Sequence, residues 1–122
     1  MIRTALAVAV LAFGATALVA QTDPIAARKV LMKANGDQNR LATAMIEGKA
    51  PFNLDEAKKV LATFVEAGEK APALFPDNSK TGGETNALPA IWDNKADFES
   101  RLAKLATESK AAGPKVTDLD TF

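Results

Sequence analysis

The sequence contains no cysteine and no histidine among its 122 residues. Without cysteine the chain forms no disulfide, so its stability must come from its core or from a ligand. The two absences together exclude cysteine–histidine and serine–histidine–aspartate nucleophilic chemistry, and they remove the commonest zinc ligands. Beyond the first twenty residues, the remaining candidates for a soft metal are Met32 and Met45.

An excess of either charge is also lacking, since 15 basic residues balance 15 acidic ones. The basic residues form no stripe, so nothing indicates a nucleic-acid or anionic-membrane partner. Removing residues 1–20 would take away Arg3 and no acid, which leaves the remainder with a slight negative charge. We also find no paired carboxylates that suggest an acid–base site, and we predict that the protein is not an enzyme.

Residues 1–20 have the pattern of a secretory signal peptide. Arg3 precedes an apolar run over residues 5–13, small residues follow, and a polar stretch begins after Ala20. A transmembrane anchor is the alternative, but spanning a bilayer takes about 20 apolar residues. Cleavage after Ala17 gives the better small-residue motif, whereas cleavage after Ala20 fits the start of the polar stretch, and we favour Ala20. The pattern predicts export, with residues 21–122 as a single domain.

This domain is predicted to be all-α, because alternating strand patterns are missing and Ala, Leu, Lys and Glu dominate. N-caps at Asp23 and Asn53 begin the first two helices, Pro72 stops the second and Gly113 ends the third. The three amphipathic helices are predicted over residues 24–47, 54–70 and 88–112, with a turn-rich connection over residues 73–86.

Residues 117–122 predict the start of a fourth helix. Thr117 or Asp118 is a suitable N-cap, and Leu119 and Phe122 begin a new apolar stripe. Three amphipathic helices leave an apolar face to cover. A fourth helix that buries about six large side chains would contribute roughly 9–18 kcal/mol of gross burial, against a net domain stability of about 5–15 kcal/mol. We therefore expect the printed chain to lack most of its closing helix.

Five segments, in order and at fitting spacing, resemble the cytochrome c′ family, the class II c-type cytochromes. The resemblance extends over essentially all of residues 21–122. The segments are ARKVLMKANG at residues 27–36, GKAPF at 48–52, LFPD at 74–77, LPAIW at 88–92 followed by Phe98, and VTDLDTF at 116–122.

The resemblance implies an antiparallel four-helix bundle in the periplasm that holds haem c and transfers electrons. It also implies covalent attachment through a Cys-x-x-Cys-His segment in the fourth helix, whose histidine is the proximal iron ligand. None of these three ligand positions occurs in the printed sequence. We expect the chain to be the portion that precedes this segment. Redox proteins of the periplasm and a second copy of the chain are the implied partners, and no membrane contact is expected after signal cleavage.

The resemblance assigns four residues to the haem. Met32 corresponds to the distal iron ligand of low-spin, six-coordinate family members, and Arg28 to the arginine that pairs with a haem propionate. Gly36 would leave room for the macrocycle, and Trp92 would pack in the core against it. Positions 28, 32 and 36 follow at one-turn intervals on one helix face, which makes the arrangement sterically sensible.

Simpler interpretations exist for the same residues. A methionine such as Met32 or Met45 more often fills a gap in a core, and Arg28 alone would be a solvated helix charge. Lys58, Lys59 and Lys104 are best explained as a solvated face. Two other functions also fit the sequence. One is a haem-free binding or stress-protective module that closes its core by dimerising, and the other is a protein that binds haem non-covalently through Met32 alone.

Overall fold

The first helix follows its capping signals closely. The computed structural model describes residues 23–122, so the predicted signal peptide lies outside the described residues. Helix α1 spans Pro24–Ile46, and the Asp23 carboxylate accepts a hydrogen bond from the Ile25 N–H at 2.9 Å. Gly48 has a φ of 69°, a left-handed conformation that suits glycine after a helix end. The predicted helix is confirmed, and it ends one residue earlier than expected.

The second helix is also confirmed. Helix α2 spans Leu54–Lys70, and the Asn53 side chain accepts a hydrogen bond from the Glu56 N–H at 3.0 Å. Acidic residues in its first turn and Lys70 in its last turn complement the helix dipole. The connection that follows is more ordered than predicted, since it contains two short 3₁₀ helices, Ala71–Leu74 and Asp77–Ser79.

The predicted third helix over residues 88–112 is wrong as a single element. The chain forms a one-turn helix α3, Ala90–Asp93, and a long helix α4, Lys95–Ala112, separated by Asn94 in a non-helical conformation. Trp92 and Lys95, on either side of the break, both donate hydrogen bonds to the Phe75 carbonyl oxygen, at 3.0 Å and 3.2 Å. These tertiary contacts stabilise the break, which lies where the apolar stripe has a gap before Phe98.

Residues 117–122 form turns that carry helix-capping hydrogen bonds. The Asp118 carboxylate accepts from the Thr121 N–H at 3.0 Å, and the Thr121 hydroxyl oxygen accepts from the Asp118 N–H at 3.1 Å. This reciprocal pair is the pattern of a capping box. The segment also packs inward, because Val116 is buried and the Phe122 ring lies 6.1 Å from that of Phe52.

Helix α2 lies between the other two long helices and packs against both, whereas α1 and α4 scarcely touch. A Cβ built on Gly68 would lie 2.5 Å from the Leu102 carbonyl oxygen and 2.8 Å from the Ala106 Cβ, so the backbones of α2 and α4 are in close contact there. The core cluster lies between α1, α2 and the C-terminal segment, and comprises Ala42, Met45, Ala57, Val60 and Val116. Among residues 23–122, no helix combines the length and the apolar character needed to span a bilayer.

Candidate functional site

A cleft of about 590 Å³ lies where α1 and α4 fail to meet. Its volume falls within the range of about 300–1,000 Å³ that is usual for small-molecule and cofactor sites. Residues from α1, α3, α4, the first 3₁₀ helix and the segment before α3 line it: Arg28, Lys29, Met32, Lys33, Ala71, Phe75, Glu84, Thr85, Asn86, Ala87, Ile91, Phe98 and Leu102.

The lining combines apolar rings with charged side chains. Phe75 and Phe98 meet edge to face with ring centroids 4.8 Å apart, an arrangement that fixes both rings. Lys29 pairs with Glu84 at 3.8 Å across the rim, and Lys33 pairs with Asp37 at 2.6 Å on α1. The hydrogen bond from Lys33 is the main cause of a lowered pKa at the exposed Asp37 carboxyl. The cleft therefore offers apolar surface beside the basic side chains of Arg28, Lys29 and Lys33.

Arg28 is buried, with 3% of its surface exposed, so the interpretation as a solvated helix charge is wrong. Its Nη1 donates to the Leu74 carbonyl at 3.2 Å and to the Ser79 hydroxyl at 2.9 Å. Its Nη2 donates to the Ser79 carbonyl at 2.9 Å and to the Thr85 hydroxyl at 2.8 Å. All four acceptors are neutral, and no carboxylate of residues 23–122 forms an ion pair with this guanidinium.

Aromatic rings provide part of the missing compensation for this charge. The Arg28 Cζ lies 4.8 Å from the centre of the Phe75 ring and 5.6 Å from that of Trp92, within the range of cation–π attraction. A buried cation without a counter-ion carries an uncompensated desolvation cost. An anion in the adjoining cleft would reduce that cost.

Met32 lies one turn after Arg28 and lines the same cleft, with 43% of its surface exposed. This exposure is inconsistent with a core gap-filler. Met45, by contrast, is 1% exposed within the core cluster, as predicted. The structure thus brings together Arg28 and Met32, the two residues of the predicted site that have polar or metal-binding chemistry.

Gly36 and Trp92 are not among the lining residues. A Cβ added at Gly36 would meet nothing within 4 Å, so the space beside this turn of α1 is open. The Trp92 indole donates to the Phe75 and Pro76 carbonyls at 3.0 Å and 3.2 Å, and its ring lies 6.0 Å from that of Phe75. Trp92 therefore supports a residue of the cleft wall. The assignment of both residues to the cofactor stays a prediction.

Sequence reasoning missed Ser79 and Thr85, the two hydroxyl partners of Arg28. They lie 51 and 57 residues away along the chain, in a segment rich in turn-forming residues. Such residues commonly bond to their own backbone in turns, so their presence in the loop carried no signal for a distant arginine. The predicted solvent exposure of Lys58, Lys59 and Lys104 is confirmed. In the part of the chain that the structure describes, no group of acidic side chains is arranged to hold a metal ion.

The sequence comparisons all identify the same protein family. Residues 23–121 match the family described as Cytochrome C′. The chain is 42% identical over 117 residues to cytochrome c′ of Rhodopseudomonas palustris, an alignment that covers 96% of this chain and 80% of the relative. It is 30% identical over 126 residues to cytochrome c-556 of the same organism, over the whole of this chain and 85% of the relative.

Structural comparison identifies the same family as the sequence comparisons. The structure of Rhodopseudomonas palustris cytochrome c′ superimposes with a TM-score of 0.78 at 44% identity, covering 83% of this chain and 81% of that one. The NMR-validated structural model of oxidised cytochrome c556 gives a TM-score of 0.72 at 28% identity, with the same coverage. The fold is the all-α bundle of the cytochrome c′ type that was predicted. The match over the length of the domain and the shared fold show that the chain belongs to the cytochrome c′ family.

Proposed function

We propose that this chain forms the haem-holding part of a periplasmic electron-transfer protein, with the haem in the cleft between α1 and α4. The proposal rests on one observation. Arg28 and Met32 line the same cleft, whose volume is usual for a cofactor site. The matching relatives are named cytochrome c′ and cytochrome c-556, which supports a haem as the ligand.

The residues present fit such a group. Phe75, Phe98 and Leu102 offer apolar surface for a macrocycle, and they would exclude water from it. The buried Arg28, which has only neutral acceptors, would attract a carboxylate of the haem through its uncancelled positive charge. The Met32 thioether, exposed at the cleft wall, would be the residue that binds the iron.

A bound haem supplies one-electron oxidation and reduction. The role of the chain is to set the conditions for this chemistry. As a neutral ligand, the Met32 thioether would favour the reduced iron and so raise the reduction potential. The positive charge of Arg28 acts in the same direction, since it favours the state with less positive charge on the iron. The protein turns over no substrate in this role.

Covalent attachment needs residues that the printed sequence does not contain, because cysteine and histidine are both absent. The proposal places the Cys-x-x-Cys-His segment and the proximal histidine outside these 122 residues. The capping box at Asp118 and Thr121 supports a helix that continues towards such a segment. Residues 1–20 serve as the export signal, and redox proteins of the periplasm and a second copy of the chain are the proposed partners.

Expression of the complete open reading frame in a bacterium that matures c-type cytochromes tests this proposal. We expect a periplasmic product with Soret absorbance that survives denaturing electrophoresis, because the haem is bound covalently. A cooperatively folded product without haem would refute the proposal and favour the haem-free dimeric module instead.

The role of Met32 has a separate test in the haem-loaded protein. We expect Met32→Leu to change a low-spin absorption spectrum to a high-spin one and to allow carbon monoxide to bind, because the iron loses its distal ligand. Met45→Leu is the matched control, since Met45 lies in the core and a volume-conserving exchange costs less than about 1.5 kcal/mol. An unchanged Met32→Leu spectrum would show that Met32 is not a ligand.

A further inference from the structure

The hydrogen bonds of Arg28 tie the cleft to a distant segment of the chain. Four N–H groups of the guanidinium are directed at Leu74, Ser79 and Thr85, which lie between α2 and α3. Arginine has a long side chain with about 2 kcal/mol of rotamer entropy, so it holds one position only when its donors are fixed. The two carbonyl acceptors belong to the backbone, whereas the two hydroxyl acceptors depend on side-chain identity.

Ser79 and Thr85 are suited to fixing a cation. Ser79 is 1% exposed, and its hydroxyl donates to the Pro76 carbonyl at 2.8 Å, which leaves its lone pairs for Arg28. The Thr85 hydroxyl oxygen accepts from the Ala87 N–H at 3.2 Å as well as from Arg28. Both hydroxyls are thus oriented by the backbone before the arginine reaches them. Thr85 also lines the cleft beside Arg28.

We propose that Ser79 and Thr85 are positioning residues that hold the Arg28 guanidinium at the cleft and thereby give the cleft its preference for a carboxylate-bearing ligand. The inference rests on the proposed function and adds two residues to it. Because the hydroxyls are neutral, they orient the cation without cancelling its charge, which stays available to an anion in the cleft. An aspartate at either position would hold the arginine equally well and remove that preference.

The preference for a carboxylate is measurable with metal-free porphyrins, which exclude any contribution from Met32 and iron. Protoporphyrin IX carries two carboxylates, and its dimethyl ester carries none. The ratio of their affinities for the full chain, followed by quenching of its single tryptophan, Trp92, reports the carboxylate interaction. Attraction between the Arg28 charge and a carboxylate predicts that the acid binds on the order of tenfold more tightly than the ester.

Substitutions then separate the charge from its positioning. We expect Arg28→Gln to bring the affinity ratio close to one. Thr85→Val, which keeps the side-chain shape, should lower the ratio several-fold, and Thr85→Ser should restore it. Ser79→Ala should act like Thr85→Val. Thr81→Val is the matched control, because Thr81 is an exposed threonine of the same segment and should leave the ratio unchanged.

A ligand-free measurement covers the case in which a variant is merely destabilised. In NMR spectra of ¹⁵N-labelled wild-type protein, the hydrogens on Nη1 and Nη2 of Arg28 should give separate, slowly exchanging signals because each is hydrogen-bonded. In Thr85→Val, Nη2 loses one acceptor, so its two hydrogen signals should merge into one averaged signal. The positioning role would be overturned if Thr85→Val and Ser79→Ala keep the wild-type ratio of acid to ester affinity while Arg28→Gln reduces that ratio to about one. Failure of the wild-type chain to bind either porphyrin would refute the haem cleft and the inference together.

Discussion

The close contact between α2 and α4 at Gly68 predicts that alanine substitutions at Gly68 and Gly36 have opposite effects on the free energy of unfolding. Gly68 and Gly36 both lie inside long helices, where alanine in place of glycine contributes about 0.5–1 kcal/mol of stability if nothing else changes. Their surroundings differ completely. A Cβ at Gly36 meets nothing within 4 Å, and a Cβ at Gly68 meets the Leu102 carbonyl oxygen at 2.5 Å and the Ala106 backbone nitrogen at 2.8 Å.

Gly68→Ala should therefore destabilise the protein. To restore ordinary contact, which begins at 3.4 Å, α4 would have to move away from α2 by about 0.9 Å at Leu102. The obstructing atoms belong largely to the backbone, so no side-chain rotation relieves the clash. Overpacking of this kind costs about 1–3 kcal/mol, and the gain in helix propensity offsets about 1 kcal/mol of it. The expected net destabilisation is up to about 2 kcal/mol, against a stabilisation of about 0.5–1 kcal/mol for Gly36→Ala.

Urea unfolding of both variants, followed by far-ultraviolet circular dichroism, measures the difference. The free energy of unfolding falls by about 1–3 kcal/mol per molar urea, so the stability difference between the two variants corresponds to a difference of roughly 1 M in their unfolding midpoints. The midpoint of Gly36→Ala should lie above that of the wild type, and that of Gly68→Ala below it. Equal upward shifts in both variants would refute the close contact between the two helices.

Two further expectations concern the core and the C-terminal segment. Met45→Ala should lower the free energy of unfolding by about 2–5 kcal/mol, because it leaves a cavity at a fully buried site; the exposed neighbour Ile46→Ala serves as the control, and equal effects of the two would contradict the assignment of the core. Thr121→Val should raise the pKa of the Asp118 carboxyl towards its ordinary value, because the Thr121 hydroxyl bond is the largest cause of the lowered pKa. The lowered pKa means that this contribution to stability is present above the unfolded pKa and disappears as the pH falls through the folded one. An NMR titration of Asp118 measures the change, and an unaltered pKa in Thr121→Val would show that the hydroxyl is not the cause.

Helix ends were predictable where the decisive interactions are local. Asp23 and Asn53 bond to N–H groups two and three residues further on, so a short sequence window contains all of the relevant groups. At Asp118 and Thr121 the predicted cap bonds form, but residues 117–122 adopt turns and the predicted fourth helix does not begin within them. The break at Asn94 was missed because Trp92 and Lys95 contact the Phe75 carbonyl, 17 and 20 residues away.

By itself, the sequence determined the helical class, the positions of the caps and the placing of residues 28 and 32 one turn apart on α1. These features follow from helix periodicity and from hydrogen bonds across a few residues. Only the tertiary structure decided that Arg28 is buried and Met32 exposed, although both lie near the same face of one helix. The difference arises because Arg28 donates hydrogen bonds to Ser79 and Thr85, which lie more than 50 residues away along the chain. Contacts over this distance leave no periodic pattern in the sequence.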